Sequence, residues 1–203
     1  MKLICVGRNY AAHIEELKNQ RPDSPVLFIK PDSAILPREQ DFYIPEFTRE
    51  VHYEVELLVR IDKVGKHIAP EFAPGYYSQV SVGLDLTARD VQQSLKEKGL
   101  PWEKAKGFDG SAVIGEWVPK SRFTGKEYLE FTLECNGRVV QRGDTRHMLW
   151  QTDELIAYIS TFFTLKKGDI IFTGTPAGVG QVQPNDYLAG KLEGKELFSV
   201  NVK

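Results

Sequence analysis

Two glutamates one residue apart, Glu54 and Glu56, and a solitary aspartate, Asp85, are the side chains here that could do the most demanding chemistry. Residues two apart in a strand project from the same face, so Glu54 and Glu56 would stand side by side as two carboxylates, with Asp85 as a possible third. Three clustered carboxylates repel one another, and burial sharpens the repulsion. Such a cluster calls for a hard cation that prefers oxygen ligands: Mg²⁺, Mn²⁺ or Ca²⁺. The same spacing also fits a plainer arrangement. His52, Glu54, Glu56 and Arg60 would then form the solvated face of an alternating strand whose other face carries Val51, Tyr53, Val55, Leu57, Val59 and Ile61.

Other residues offer proton and anion chemistry. Tyr10 to Lys18 has helical composition, which places His13, Glu16 and Leu17 on one face. A carboxylate bonded to one imidazole nitrogen orients the ring and raises its basicity, so the pair is a candidate general base or an ordinary polar helix face. Lys106 lies between the small residues Ala105 and Gly107 in a turn-rich loop. It could neutralise a developing oxyanion or simply be solvated. The run Thr173 to Gly180 has three glycines, so its amide groups and the hydroxyls of Thr173 and Thr175 could hold a carboxylate. It lacks the Gly-Lys-Ser/Thr ending of a nucleotide loop and the glycine spacing of a dinucleotide site.

The elements that must position these groups follow from periodicity and breakers. Short strands are expected at Leu3–Val6, Val26–Ile29, Val51–Ile61, Val80–Leu84 and Ile170–Phe172. Thr87 reads as the N-cap of a helix ending at Gly99, which puts Asp85 at a strand-to-helix junction with Arg89 and Gln92 able to reach back to it. Asn136 and Gly137 predict a type I′ hairpin, and Thr152–Phe163 an amphipathic helix with Leu155, Ile156, Ile159, Phe162 and Phe163 on its apolar face, packed on a sheet. Residues 31–49, with three prolines, predict a long surface loop or edge hairpin.

The 203 residues suffice for one large domain with an unstapled core. With 26 basic residues scattered among 28 acidic ones, the chain has no footprint for nucleic acid or an anionic membrane. Cys5 and Cys135 lack metal-ligand spacing, and no apolar run suits a signal peptide or membrane span, so a cytoplasmic protein is expected.

Taken in order, Gly7-Arg8-Asn9-Tyr10-Ala11-Ala12-His13, Phe28-Ile29-Lys30-Pro31, Glu54-Val55-Glu56, Leu84-Asp85-Leu86-Thr87-Ala88-Arg89-Asp90, Gly99-Leu100-Pro101-Trp102 with Ala105-Lys106, and Thr173 to Gly180 resemble the fumarylacetoacetate hydrolase family, in particular its small acylpyruvase-like members. The resemblance runs through most of the chain. It implies a single catalytic domain over 1–203, a mixed α/β but mainly β fold built as a twisted β-sandwich roll with a few short helices, and a homodimer. It also implies Glu54, Glu56 and Asp85 as ligands of Mg²⁺ or Mn²⁺, a His13–Glu16 dyad that activates water, and contacts to substrate or its oxyanion from Arg8, Lys30, Arg89, Gln92, Lys106, Gly174 and Thr175. The activity implied is hydrolysis of a C–C bond in acylpyruvates or related 2,4-dioxo acids to give pyruvate and a carboxylic acid. Decarboxylation of oxaloacetate, isomerisation of a related oxo acid, and metal or oxo-acid binding without turnover are the alternatives. The 31–50 segment departs from the family pattern where the pocket is shaped. Arg146 and His147, also atypical, are expected to face solvent.

Overall fold

The computed structural model describes residues 1–18 and 20–203. In chain order the strands and helices are β1 (Leu3–Gly7), α1 (Ala11–Glu16), β2 (Val26–Lys30), β3 (Val51–Tyr53), β4 (Val55–Ile61), β5 (Tyr77–Asp85), β6 (Thr87–Ala88), α2 (Arg89–Glu97), α3 (Glu103–Lys106), β7 (Ala112–Ile114), β8 (Val118–Pro119), β9 (Glu130–Cys135), β10 (Arg138–Asp144), α4 (Thr152–Phe162), β11 (Ile170–Phe172), β12 (Gly180–Gln181), β13 (Tyr187–Leu192) and β14 (Lys195–Asn201). The result is mixed α/β, mostly strands with few and short helices.

A seven-stranded sheet runs β2-β1-β11-β4-β5-β7, with β8 also on β5. A four-stranded sheet runs β10-β9-β13-β14, and a small one β12-β3-β6. Within the large sheet only β1 and β11 pair in parallel.

β4 lies between β11 and β5 and is covered on both faces. Val55, Leu57, Val59 and Ile61 enter the main core, while Leu58 joins a second cluster with Leu3, Cys5, Ala112, Ile170 and Phe172. The solvated-face arrangement therefore does not hold: Glu54 and Glu56 are 4% and 2% exposed. An alternating pattern misleads here because a central strand can bury charges beside a packed layer.

The expected single strand from Val51 to Ile61 is also interrupted. β3 and β6 pair in the small sheet, β4 and β5 in the large one, and both chains cross between sheets at Glu54 and at the Asp85–Leu86 step. The Asp85 amide donates to the Glu54 carbonyl across this corner at 2.9 Å.

Three other expectations change. Thr87 does not cap α2. It pairs within β6, and Asp90 collects the local donors instead, from Val91 N at 2.8 Å, Arg49 N at 3.0 Å and Thr48 Oγ1 at 2.5 Å. On α4, Leu155, Ile156 and Ile159 are buried but Phe162 is 57% exposed, because the helix ends there. That helix packs chiefly over the 3₁₀ turn Pro70–Tyr76. Residues 31–50 do form a loop, pinned where Phe42 inserts into the core and pairs with Val202.

The Asn136–Gly137 hairpin forms as expected, with positive φ at both residues, 52° and 77°. Arg146 and His147 are exposed in the turn after β10, and both cysteines are free. Among the described residues no helix is long and apolar enough to cross a membrane.

Candidate active site

The corner where the two strands change sheets determines the centre of the site. Glu54 sits in the break between β3 and β4, Glu56 follows on β4, and Asp85 ends β5. Ligand oxygens of all three lie within 4.8 Å of one another, each residue buried. Hard oxygen donors in this arrangement fit Mg²⁺, Mn²⁺ or Ca²⁺. The orientation of the donors supports that fit. The Gly174 amide donates to Glu56 Oε2 at 2.6 Å, while Asp85 Oδ1 is buried without a hydrogen-bond partner, its nearest cation being Lys30 Nζ at 2.8 Å in a contact of ion-pair distance only.

Cations of the protein balance the three carboxylates. Lys106 Nζ donates to Glu54 Oε2 and Asp85 Oδ2, both at 2.7 Å, and to Thr87 Oγ1 at 2.6 Å. Arg89 holds Glu54 Oε1 and, through Nη1, Gln92 Oε1 at 2.7 Å. Burial raises the Glu54 carboxyl, but the charges of Lys106, Arg89 and His13 outweigh it and hold it well below the usual carboxylate range. Glu56 moves the other way. Burial and then the neighbouring Asp85 push it up, opposed by the Gly174 N–H. Lys106 is kept above its ordinary value: burial disfavours its charge, yet Asp85 and Glu54 outweigh burial. Lys106 is thus not solvated but 3% exposed, on a four-residue helix rather than in a loop.

His13 completes the group. It lies on α1 with Nδ1 at 3.2 Å from Glu16 Oε2, and Glu16 Oε1 accepts from the Gly178 amide at 2.9 Å. The dyad is therefore tied to the glycine run, 162 residues away in sequence. With Nδ1 engaged, Nε2 is the ring nitrogen left for proton transfer. A cavity of about 50 Å³ is lined by His13, Glu54, Glu56, Asp85, Lys106 and Thr175, together with Arg8, Arg89, Gln92 and Lys96, and it is walled by Phe28 and Trp102.

Two residues expected to touch substrate do other work. Lys30 is fully buried and does not line the cavity. Its Nζ donates to Leu86 O at 3.2 Å, to Ser111 O at 3.0 Å, to Ser111 Oγ at 2.9 Å and to Lys106 O, beside Asp85. A buried ammonium needs every donor matched, and these partners lie behind the carboxylates. Gly174 directs its amide to Glu56 instead of the cavity, and the Thr173 hydroxyl donates to Leu57 O at 2.9 Å. The 31–50 segment contributes none of the cavity's lining.

Two supports have little signature in sequence. Gln141 is 1% exposed. It accepts from Val55 N at 2.9 Å, the amide next to the strand break, and donates to Thr175 Oγ1 at 2.9 Å and Pro176 O at 3.0 Å. Asn9 is fully buried and donates to Thr173 O at 2.7 Å while accepting from Trp150 N at 2.9 Å. Only its place in the Gly7 to His13 run singles it out. Arg8 beside it takes a positive φ of 60°, uncommon for a residue with a side chain and a mark of a constrained position.

Comparison with known proteins agrees with this geometry. Over 197 residues the chain is 44% identical to oxaloacetate tautomerase YcgM of Escherichia coli, spanning 97% of this chain and 90% of that protein. It is 41% identical over 192 residues to the mitochondrial oxaloacetate tautomerase FAHD1 of Bos taurus, spanning 95% and 87%. The fold matches the crystal structure of fumarylpyruvate hydrolase from Pseudomonas aeruginosa in complex with Mn²⁺ and pyruvate with a TM-score of 0.93 at 39% identity, covering 100% of this chain and 89% of that one. The family model described as "Fumarylacetoacetate (FAA) hydrolase C-terminal" matches residues 2–197. With the motif order, the fold and nearly the whole length in agreement, this chain belongs to the fumarylacetoacetate hydrolase family.

Proposed function

We propose that this protein is a divalent-metal-dependent enzyme that moves a proton on the carbon beside the oxo group of a small 2-oxo acid, interconverting the keto and enol forms of oxaloacetate. The carrying observation is the placement of a His/Glu dyad and three buried carboxylates around one small cavity. The two relatives named oxaloacetate tautomerase support the substrate.

Glu54, Glu56 and Asp85 would hold the metal, which when bound supplies a Lewis acid for the oxo group and its carboxylate. His13, oriented by Glu16 through Nδ1, takes the proton from the carbon at Nε2 and returns it to the other end of the enol system. Lys106 and Arg89 lie close enough to the carboxylates to oppose negative charge as it develops on the substrate oxygen. Burial makes that charge stabilisation stronger than in water.

Disappearance of the enol absorbance of oxaloacetate, followed with Mg²⁺ or Mn²⁺ and with chelator, tests the reading. The rate should fall to background in chelator, and His13→Ala should lower kcat by about 10²–10⁴-fold, the usual contribution of a positioned base. Full activity in chelator would defeat the metal assignment.

Hydrolysis of acylpyruvates is the second reading, favoured by the match to fumarylpyruvate hydrolase and by a dyad equally suited to deprotonating water. Release of pyruvate and a carboxylic acid from acylpyruvates faster than enol turnover would put it first. Decarboxylation of oxaloacetate also yields pyruvate but needs no base, so it alone should survive in His13→Ala.

A further inference from the structure

We propose that Gln141 is a positioning residue that fixes the Thr175 hydroxyl as a hydrogen-bond donor into the cavity, where it meets an oxygen of the bound acid. This deepens the reading of the cavity as a 2-oxo acid site and rests on it. Gln141 comes from β10, none of whose residues lines the cavity. The pairing of β10 with β9 shifts register between Val139 and Gln141, and this bulge turns Gln141 inward, 1% exposed between a half-buried Val140 and an exposed Arg142. The glycine run packs against the same bulge: a Cβ on Gly178 would lie 2.5 Å from Val140 O.

The carboxamide can lie only one way round. Val55 N can only donate and Pro176 O can only accept, so Oε1 faces Val55 N at 2.9 Å and Nε2 faces Pro176 O at 3.0 Å. Turning it over would set donor against donor and carbonyl against carbonyl in a buried place. Nε2 also donates to Thr175 Oγ1 at 2.9 Å, so that oxygen accepts. A hydroxyl has one hydrogen, and an Oγ1 that accepts from an amide keeps it for another partner. Pro176 O is 3.5 Å away, beyond the roughly 2.5–3.0 Å of a good O–H···O bond, and already takes Nε2. Thr175 is 4% exposed and lines the cavity, which leaves its hydrogen for a ligand there. The bonds from Val55 to Gln141, from Gln141 to Thr175 and from Thr175 to the ligand then all run one way. Aligned bonds polarise one another, which strengthens the last donor toward an anion.

Pyruvate binding to the Mn²⁺-loaded protein, followed by titration calorimetry at saturating Mn²⁺, tests this chain of bonds without turnover. Thr175→Val should weaken pyruvate about tenfold or more and Gln141→Met about two- to tenfold, the effects of losing a hydrogen bond to a charged and to a neutral group. The double variant should bind as Thr175→Val does within about twofold, because Gln141 acts through that hydroxyl. Gln141→Glu has the same shape and still accepts from Val55 N. Protonated, it donates to Thr175 as the amide does; ionised, it only accepts and draws the hydroxyl hydrogen away from the cavity. Its pyruvate affinity relative to wild type should therefore fall as pH rises from about 5 to 8, the range of a buried carboxyl, and recover on acidification. Additive losses in the double variant, or a Gln141→Glu ratio flat with pH, would overturn the proposal while leaving the oxo acid reading in place. If Gln141→Met does not fold, the Gln141→Glu profile decides. No binding of pyruvate by the wild type would overturn the oxo acid reading and the proposal with it.

Discussion

Lys30 shows how a residue can serve a site without facing it. Its ammonium is ringed by Leu86 O, Ser111 O, Ser111 Oγ and Lys106 O, and it pairs with Asp85 at 2.8 Å, so it fixes both the aspartate and the segment that carries Lys106. Removing one partner of a buried pair strands the other charge, which typically costs about 3–5 kcal/mol. Lys30→Met should therefore lower the unfolding free energy by that order, read from the midpoint of urea denaturation at unchanged slope. A loss below about 1 kcal/mol would mean that the pair contributes little beyond what a surface salt bridge does. Lys106, in contrast, meets the same aspartate from the cavity side, and this division of the two lysines was invisible in sequence.

At the scale of elements, the glycine run after β11 acts as a bracket. Gly174 orients Glu56, Thr175 lines the cavity and Gly178 holds Glu16, so one segment couples the strand of the clustered carboxylates to the helix that carries His13. Gly174 has φ +104°, and a Cβ there would lie 2.6 Å from Asn9 Cβ and 3.2 Å from Val6 O. Gly174→Ala is expected to destabilise the fold by more than about 1 kcal/mol, because the backbone cannot relax into a favoured region without moving the amide from Glu56. It should also weaken Mn²⁺ binding about 10–100-fold, the usual effect of losing a group that orients a metal ligand. Calorimetry with Mn²⁺ checks the second outcome. Unchanged affinity would show that Glu56 needs no such support.

Across the whole molecule, the first residues are locked to the last third of the chain. Asp169 precedes β11 and accepts from Lys2 N at 2.9 Å, Lys166 N at 2.8 Å and the Lys2 side chain. Burial alone would raise its carboxyl, but these bonds outweigh burial and hold it below its ordinary 3.8. A carboxyl depressed in the folded state binds fewer protons than in the unfolded chain, so its stabilisation is present above its ordinary value and lost as pH falls through the folded one. The stability gap between wild type and Asp169→Asn should thus be full at neutral pH and close as pH falls through and below the ordinary carboxyl value of 3.8. Thermal melts across that range measure it, and a gap that stays constant would refute the linkage.

The sequence by itself determined the residue types and local order: the carboxylates, the His/Glu spacing that one helical turn brings together, the Asn136–Gly137 turn and most strand positions, because these depend on neighbours within a few residues. Only the tertiary structure decided which groups meet and which side of the site each occupies. Alternation alone placed Glu54 and Glu56 on a wet face; burial came from the central place of β4 in its sheet, with core clusters packed on both of its faces. The corner that brings Asp85 beside them arises where two paired strands leave one sheet for another. Gln141 was illegible because its role depends on an amide left without a ladder partner 86 residues away. Lys30 and Lys106 differ for the same reason: identical side chains take opposite roles according to which face of Asp85 the fold lets them reach.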